Sequence, residues 1–245
     1  MSTVLFSLAS LLSTFAGGMV ALKFGERLHY LLSFTAGVLL GVVSFDVLPE
    51  IFKLAHEQGN DPTGAMIALL AGFLIFHSIE KFLVVRHTQE EGGAPHHHPY
   101  LGVLSAVALA GHSFMDGVAI GLAFQVSEVV GIAVGIAVVA HDFCDGLNTV
   151  SLMLVHHNTR RRLFAMLALD AIAPVLGATS TLAFQVPSSV LMLFLGFFAG
   201  FLLHIAASVI LPEAHSQARA GTVIKLIGLT CLGAAFIYVV VGLAG

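Results

Sequence analysis

Between residues 171 and 212 the chain carries no Asp, Glu, Lys or Arg. A helix crossing about 30 Å of hydrocarbon needs roughly 20 mostly apolar residues, so this stretch is too long for one crossing. Pro187, Ser188 and Ser189 supply its natural break. The same measure applied along the chain yields eight spans, at about 3–22, 30–52, 63–85, 100–124, 129–155, 163–184, 188–211 and 223–243. Composition agrees: 58% of the 245 residues are apolar and 10% are charged, where a soluble domain is about a quarter charged. Ten-residue segments alternating at period two, as a membrane β-barrel requires, are not present. The expected fold is an all-α polytopic membrane protein, with residues 1–245 as one transmembrane domain. Span 1 has no basic segment before it and no convincing cleavage site, so it reads as a span and not a signal peptide.

A formal net charge of −4 excludes a nucleic-acid surface, and the same composition excludes disorder and fibrous repeats. The two cysteines, Cys144 and Cys231, stand in apolar runs and make neither a disulfide framework nor a C-x-x-C knot. No G-x-x-x-x-G-K-[ST] loop is present, which argues against pumping driven by a nucleotide at this chain. Lys and Arg orient the bundle, because they favour the cytoplasmic side. Nine of the ten (Lys23, Arg27, Lys81, Arg86, Arg160, Arg161, Arg162, Arg219 and Lys225) follow odd-numbered spans, against Lys53 alone on the other side. With eight spans, both termini then lie outside, in the plasma membrane (the inner membrane of a bacterium). The one longer loop, 86–100, faces the cytoplasm and holds His96, His97 and His98 between Pro95 and Pro99. A short His tract has weak metal affinity, and a flexible connector explains it equally well.

Ionisable groups inside a span are costly and point to function. They gather in spans 4 and 5, which read A-G-H-S-F-M-D-G-V-A-I-G over 110–121 and V-A-H-D-F-C-D-G-L-N-T-V over 139–150. Both contain H-x-F-x-D-G. The four-residue spacing puts His112 with Asp116, and His141 with Asp145, on one helical face. Adjacent spans run antiparallel, so the two copies can meet about a two-fold axis in the membrane plane, as in transporters built from inverted halves. Two imidazoles and two carboxylates suit Zn(II), and tolerably Fe(II), Mn(II), Co(II) or Cd(II). The two carboxylates also neutralise a dication in a low dielectric. Gly117 and Gly146 allow close helix approach. Two unrelated His–Asp packing pairs would be the plain explanation, but the repetition with matching Phe and Gly makes it the weaker one.

These boxes, with L-P-E-I and L-P-E-A ending spans 2 and 7 and A-P-V-L-G-A in span 6, resemble the ZIP (Zrt/Irt-like) family of divalent-metal transporters. The resemblance covers nearly the whole chain. It implies a 3+2+3 arrangement, with spans 1–3 and 6–8 as inverted repeats around the central pair. It also implies a primary metal site of His112, Asp116, His141 and Asp145. An adjacent second site, found in some members, would fall on Ser113, Asp142 and Ala173, of which Asp142 alone is a strong ligand. Asp170, one turn before Pro174, is a candidate substitute or a packing residue. Members often carry proline just before the motif carboxylate, and Met115 and Cys144 stand there instead. Their sulfurs are better read as packing than as ligands.

Secondary candidates lie along a path. Asp46 and Glu50 at the outer end of span 2 could form an entry funnel. His77 and Glu80 at the inner end of span 3 could lead to the His loop, although Glu80 could equally pair with Lys81. Glu213 and His215 close the inner end of span 7, and His204 reads as a hydrogen-bonded core histidine.

The expected function is divalent-metal transport, zinc first, into the cytoplasm by alternating access, with the metal as cargo and no cofactor. Protonated imidazoles would bind metal poorly, so flux should depend on pH. One alternative is an exporter of the cation-diffusion-facilitator kind, which also uses H-x-x-x-D pairs but typically has six spans and a C-terminal domain. Another is an intramembrane metallohydrolase assembled from Ser44, Asp46, His112, His141 and His204, although no H-E-x-x-H is present. The partners are a divalent metal ion and the lipid bilayer; oligomeric state is open, a homodimer included.

Overall fold

The computed structural model describes residues 2–23, 28–90, 99–126, 128–183, 187–216 and 220–244. They form eight long helices and, among the described residues, no strand: α1 (Ser2–Lys23), α2 (Leu28–Gln58), α3 (Thr63–Glu90), α4 (Pro99–Val126), α5 (Glu128–Val155), α6 (Arg160–Ala183), α7 (Ser188–His204, continuing to His215) and α8 (Ala220–Ala244). All eight are long and apolar enough to cross a membrane, and the chain is an all-α polytopic membrane protein. Helix α3 runs five residues past the expected span end at 85 before the described segment stops at Glu90. Loop residues His96, His97 and His98 lie outside the described residues.

The polarity of the bundle is inverted relative to a soluble domain. Leu5, Leu12, Ile67, Phe82, Leu182 and Ile224 are exposed, whereas Ser7, Ser10, Thr14, His112, Asp116, His141, Asp142, Asp145 and Asp170 are buried. Hydrocarbon solvates the first set, and the second must find partners inside the protein. Local signals set the ends. Gly59, at φ 63°, closes α2 in the left-handed region. Asp61 takes hydrogen bonds from the Thr63 amide (2.9 Å) and hydroxyl (2.7 Å) ahead of α3, and these hold its carboxyl below the usual range. The Thr159 hydroxyl accepts from the Arg162 amide to start α6.

Packing follows a two-fold pattern. Helix α1 packs on α5 as α6 packs on α4, and α2 packs on α8 as α7 packs on α3, with α4 against α5 at the centre. Glycines repeat the pattern residue by residue. A Cβ at Gly146 would overlap the Thr14 carbonyl, and one at Gly117 the Pro174 carbonyl. Gly17 meets the Phe143 carbonyl as Gly177 meets that of Phe114. In the outer layers Gly37 meets Thr230 and Gly233 meets Phe34, matched by Gly200 on Leu69 and Gly72 on Phe197. Without a hydrophobic drive between helices in lipid, such backbone approach is a main source of association.

The two L-P-E elements explain a second repeated feature. Proline offers no amide to the preceding turn. In each case a π-helical turn stands just before it, Val43–Val47 in α2 and Ile205–Ile210 in α7. The Leu48 amide donates to the Val43 carbonyl, and the Leu211 amide to that of Ala206, five residues back in both. Such bulges re-aim a helix and gather at functional sites. By contrast α4 and α5 pass uninterrupted through Met115 and Cys144, in keeping with the absence of proline there.

Candidate metal centre

The H-x-x-x-D spacing on α4 and α5 and the glycine one residue later bring both boxes to one place. One ligand atom from each of His112, Asp116, His141 and Asp145 lies within 4.8 Å of all the others, and all four residues are buried. His112 Nδ1 stands 3.2 Å from Asp116 Oδ2, His112 Nε2 3.3 Å from Asp145 Oδ2, and His141 Nε2 3.4 Å from Asp116 Oδ1. The imidazoles lie nearly parallel, 5.8 Å apart between centroids and 17° between planes. Zinc–ligand bonds of about 2.0–2.1 Å set tetrahedral edges of about 3.3 Å; with one ligand atom from each residue the cluster stands within 4.8 Å, so its side chains would close up around an ion.

Hydrogen bonding points the same way. Both ring nitrogens of His112, Nε2 of His141, Oδ2 of Asp116 and both oxygens of Asp145 are buried without a hydrogen-bond partner among the described residues. Buried polar atoms without hydrogen bonds are costly, and this group is one that could hold a metal ion. His141 Nδ1 lies 2.9 Å from the Ala137 carbonyl. A proton on that nitrogen donates to the carbonyl and leaves the Nε2 lone pair facing the cluster, the usual support for a metal-binding histidine.

Of the remaining acids, Asp142 keeps its Oδ1 without a hydrogen-bond partner among the described residues, like the cluster, and Asp170 does not. Asp142 accepts a hydrogen bond from the Ser10 hydroxyl, and its other oxygen lies 3.8 Å from His141 Nε2. Asp170 accepts from Ser113 (2.6 Å) and Thr149 (2.6 Å), so both its oxygens are engaged. Ser113 and Asp170 thus satisfy each other beside the cluster, and Ala173 is buried with no ligand to offer. Cys144 belongs to the aliphatic core, and Met115 lines a separate cavity. Sequence reasoning missed Ser10 and Thr149. The signal for Ser10 was present in the repeat: aligning Gly17 with Gly177 puts Ser10 at the position of Asp170.

Two cavities approach the cluster from opposite ends. One, of about 220 Å³, is lined by Asp46, Glu50, Lys53 and Glu57 of α2 and reaches Asp116 and His141. Glu50 also pairs with Lys53 at 3.5 Å. The other, of about 280 Å³, opens toward the basic end and is lined by Glu80, Met115, Leu152 and His204, stopping short of the four ligands. Glu80 uses both oxygens, one on Lys81 at 2.9 Å and the other 3.1 Å from His204 Nε2, so both of its foreseen and unforeseen partners are engaged. His77 joins them, and His204 is buried with Glu80 as its partner, as expected of a hydrogen-bonded core histidine. Glu213 and His215 stay at the end of α7, with His215 Nδ1 2.9 Å from the Leu211 carbonyl.

The chain is 27% identical over 223 residues to the zinc transporter YKE4 of Saccharomyces cerevisiae, covering 78% of this chain and 62% of that protein. It is 26% identical over 218 residues to the zinc transporter ZIP13 of Pongo abelii, covering 84% and 65%. Against the zinc transporter GufA of Myxococcus xanthus it is 26% identical over 189 residues, covering 71% and 72%. The chain therefore spans less than two thirds of the length of the yeast and orangutan relatives. Residues 86–241, more than half of the sequence and including both H-x-F-x-D-G boxes, match the family described as ZIP zinc transporter, and the chain belongs to that family.

Proposed function

We propose that this chain carries a divalent metal ion, zinc first, into the cytoplasm, with His112, Asp116, His141 and Asp145 as the site where the ion rests in mid-membrane. The observation that carries this reading is the buried cluster of two imidazoles and two carboxylates, with one ligand atom from each within 4.8 Å of the others and several of their polar atoms without a hydrogen-bond partner among the described residues. The names of the similar proteins, all zinc transporters, favour the same cargo. The ion is substrate here. The chain's contribution is a neutral cage, two carboxylates against two positive charges, at a depth where an unmatched charge is costly.

Alternating access gives the cavities their roles. In the arrangement described, the acid-lined cavity touches Asp116 and His141 while the opposite cavity ends below them. The conformation accordingly admits ions from the side away from the basic residues, and Asp46 and Glu50 raise the local cation concentration at its mouth. Exposure to the other side requires the α4–α5 pair to move against the outer helices. The charge asymmetry of Lys and Arg supports reading that other side as the cytoplasm. Uptake of radioactive zinc into proteoliposomes of known orientation tests the reading: inward flux supports it, and outward flux or lipid turnover without flux rejects it.

Two further results are expected. A single metal should be held between α4 and α5, because Asp170 has both oxygens and Asp142 one oxygen bonded to hydroxyls, and a second dication would meet strong repulsion without added anionic ligands. Asp142→Ala should slow transport by about tenfold with little change in zinc affinity, and two fully occupied zinc positions between these helices in an anomalous map would contradict this. Replacing His96, His97 and His98 together by Ser should leave uptake measurable and alter its rate or apparent affinity by only a few-fold, since water-exposed imidazoles bind metal weakly. Abolished uptake in a correctly inserted variant would place the essential site in the loop.

A further inference from the structure

We propose that His77 and Glu80 of α3 and His204 of α7 form a second divalent-metal site, an inner station between the central cluster and the basic end of the bundle. One ligand atom from each of the three lies within 4.8 Å of the other two. His204 Nε2 is 3.1 Å from Glu80 Oε2, and the two imidazoles stand at 80° with centroids 5.6 Å apart. Spacing of three on α3 puts His77 and Glu80 on one face. Phe73, one turn earlier, fixes both rings: it stacks on His77 at 5.9 Å and meets His204 edge-on at 5.7 Å.

Two independent features mark this trio as more than a helix-packing contact. Nδ1 of His77 and Nδ1 of His204 are buried with no hydrogen-bond partner among the described residues. In addition, Glu80 and His204 line the roughly 280 Å³ cavity whose wall also includes Gly111 and Met115, the residues flanking the central ligands His112 and Asp116 in sequence. An ion leaving the centre through that cavity therefore meets these side chains. Two imidazoles and one carboxylate form a three-ligand set with a fourth position open to water, which holds zinc while leaving it exchangeable. One carboxylate, shared with Lys81, neutralises a dication less completely than the two at the centre. The inner site should consequently bind more weakly, as a release station requires.

The station's place on the path rests on the transport reading, whereas metal binding does not. The test uses cobalt(II) as a spectroscopic stand-in for zinc on the full chain in lipid nanodiscs. With Asp116→Ala and Asp145→Ala removing the central site, one cobalt per chain should remain, with a visible spectrum of mixed nitrogen and oxygen ligands. His77→Ala or His204→Ala should weaken it by at least about tenfold, and Glu80→Gln should change the spectrum. Should the doubly substituted background fail to fold, the parent sequence serves: under excess cobalt it should hold two ions, and His204→Ala one. Cobalt content and spectrum indifferent to all three substitutions would overturn the site, whatever the transport result. Cobalt bound here in a protein that moves no metal would sustain the site and reject the transport reading.

Discussion

Alanine at Asp116 or at Asp145 should reduce zinc uptake by at least about 100-fold, while the protein still reaches the membrane. In the proposed site each carboxylate would supply one of the two charges that neutralise the ion, and each stands within 3.4 Å of a histidine nitrogen. A buried ion pair that loses one partner costs about 3–5 kcal/mol, because an uncompensated charge is left behind. At about 1.4 kcal/mol for each factor of ten, that is roughly 100-fold or more in affinity. Asn at the same positions keeps the volume and one oxygen but not the charge, so it should recover folding and little transport. Zinc uptake into proteoliposomes, normalised to folded protein, measures both. Wild-type rates in folded alanine variants at all four cluster positions would show that the ion rests elsewhere.

Gly146→Val and Gly117→Val should be as damaging by a different route. A side chain at either glycine runs into a backbone carbonyl, of Thr14 in α1 and of Pro174 in α6. Backbone cannot swing aside as a flexible side chain does, so the helices must separate along their length. Overpacking a well-filled interior costs about 1–3 kcal/mol, and separation here also pulls Asp116 or Asp145, one residue away, out of the cluster. Thermal unfolding in detergent should fall by several degrees, with metal binding lost at the same time. Gly228→Val on α8 is the control, since nothing lies within 4 Å of the added carbon, and it should behave as the parent.

The spans and the pairing of two His–Asp boxes were legible because each depends on neighbours in sequence. An apolar run about 20 residues long needs no partner to be recognised, and four-residue spacing places His112 above Asp116 whatever surrounds them. What escaped depends on helices far apart in the chain. His204 read as a hydrogen-bonded core histidine, but its neighbours Glu80 and His77 come from α3 and could not be named. Asp142 read as a candidate ligand from its place in the family's second site and Asp170 from its place before Pro174, whereas their hydroxyl partners Ser10, Ser113 and Thr149 could be assigned only after the helices were packed. The π-helical turns lay between these cases. Pro49 and Pro212 announce a disturbance of the helix, but not that it is absorbed by widening the preceding turn.

The bond between Ser10 and Asp142 has a counterpart in the bond between Asp170 and Ser113, with acid and alcohol exchanged between equivalent positions. If the halves descend from one ancestral unit, the exchange constrains the route by which they diverged. A route through two aspartates would have set like charges against each other in a dry interior, a state selection removes. A route through two serines leaves a neutral hydroxyl pair, which a bundle tolerates. On that route at least one half passed through a neutral alcohol pair before its acid stood on the opposite member.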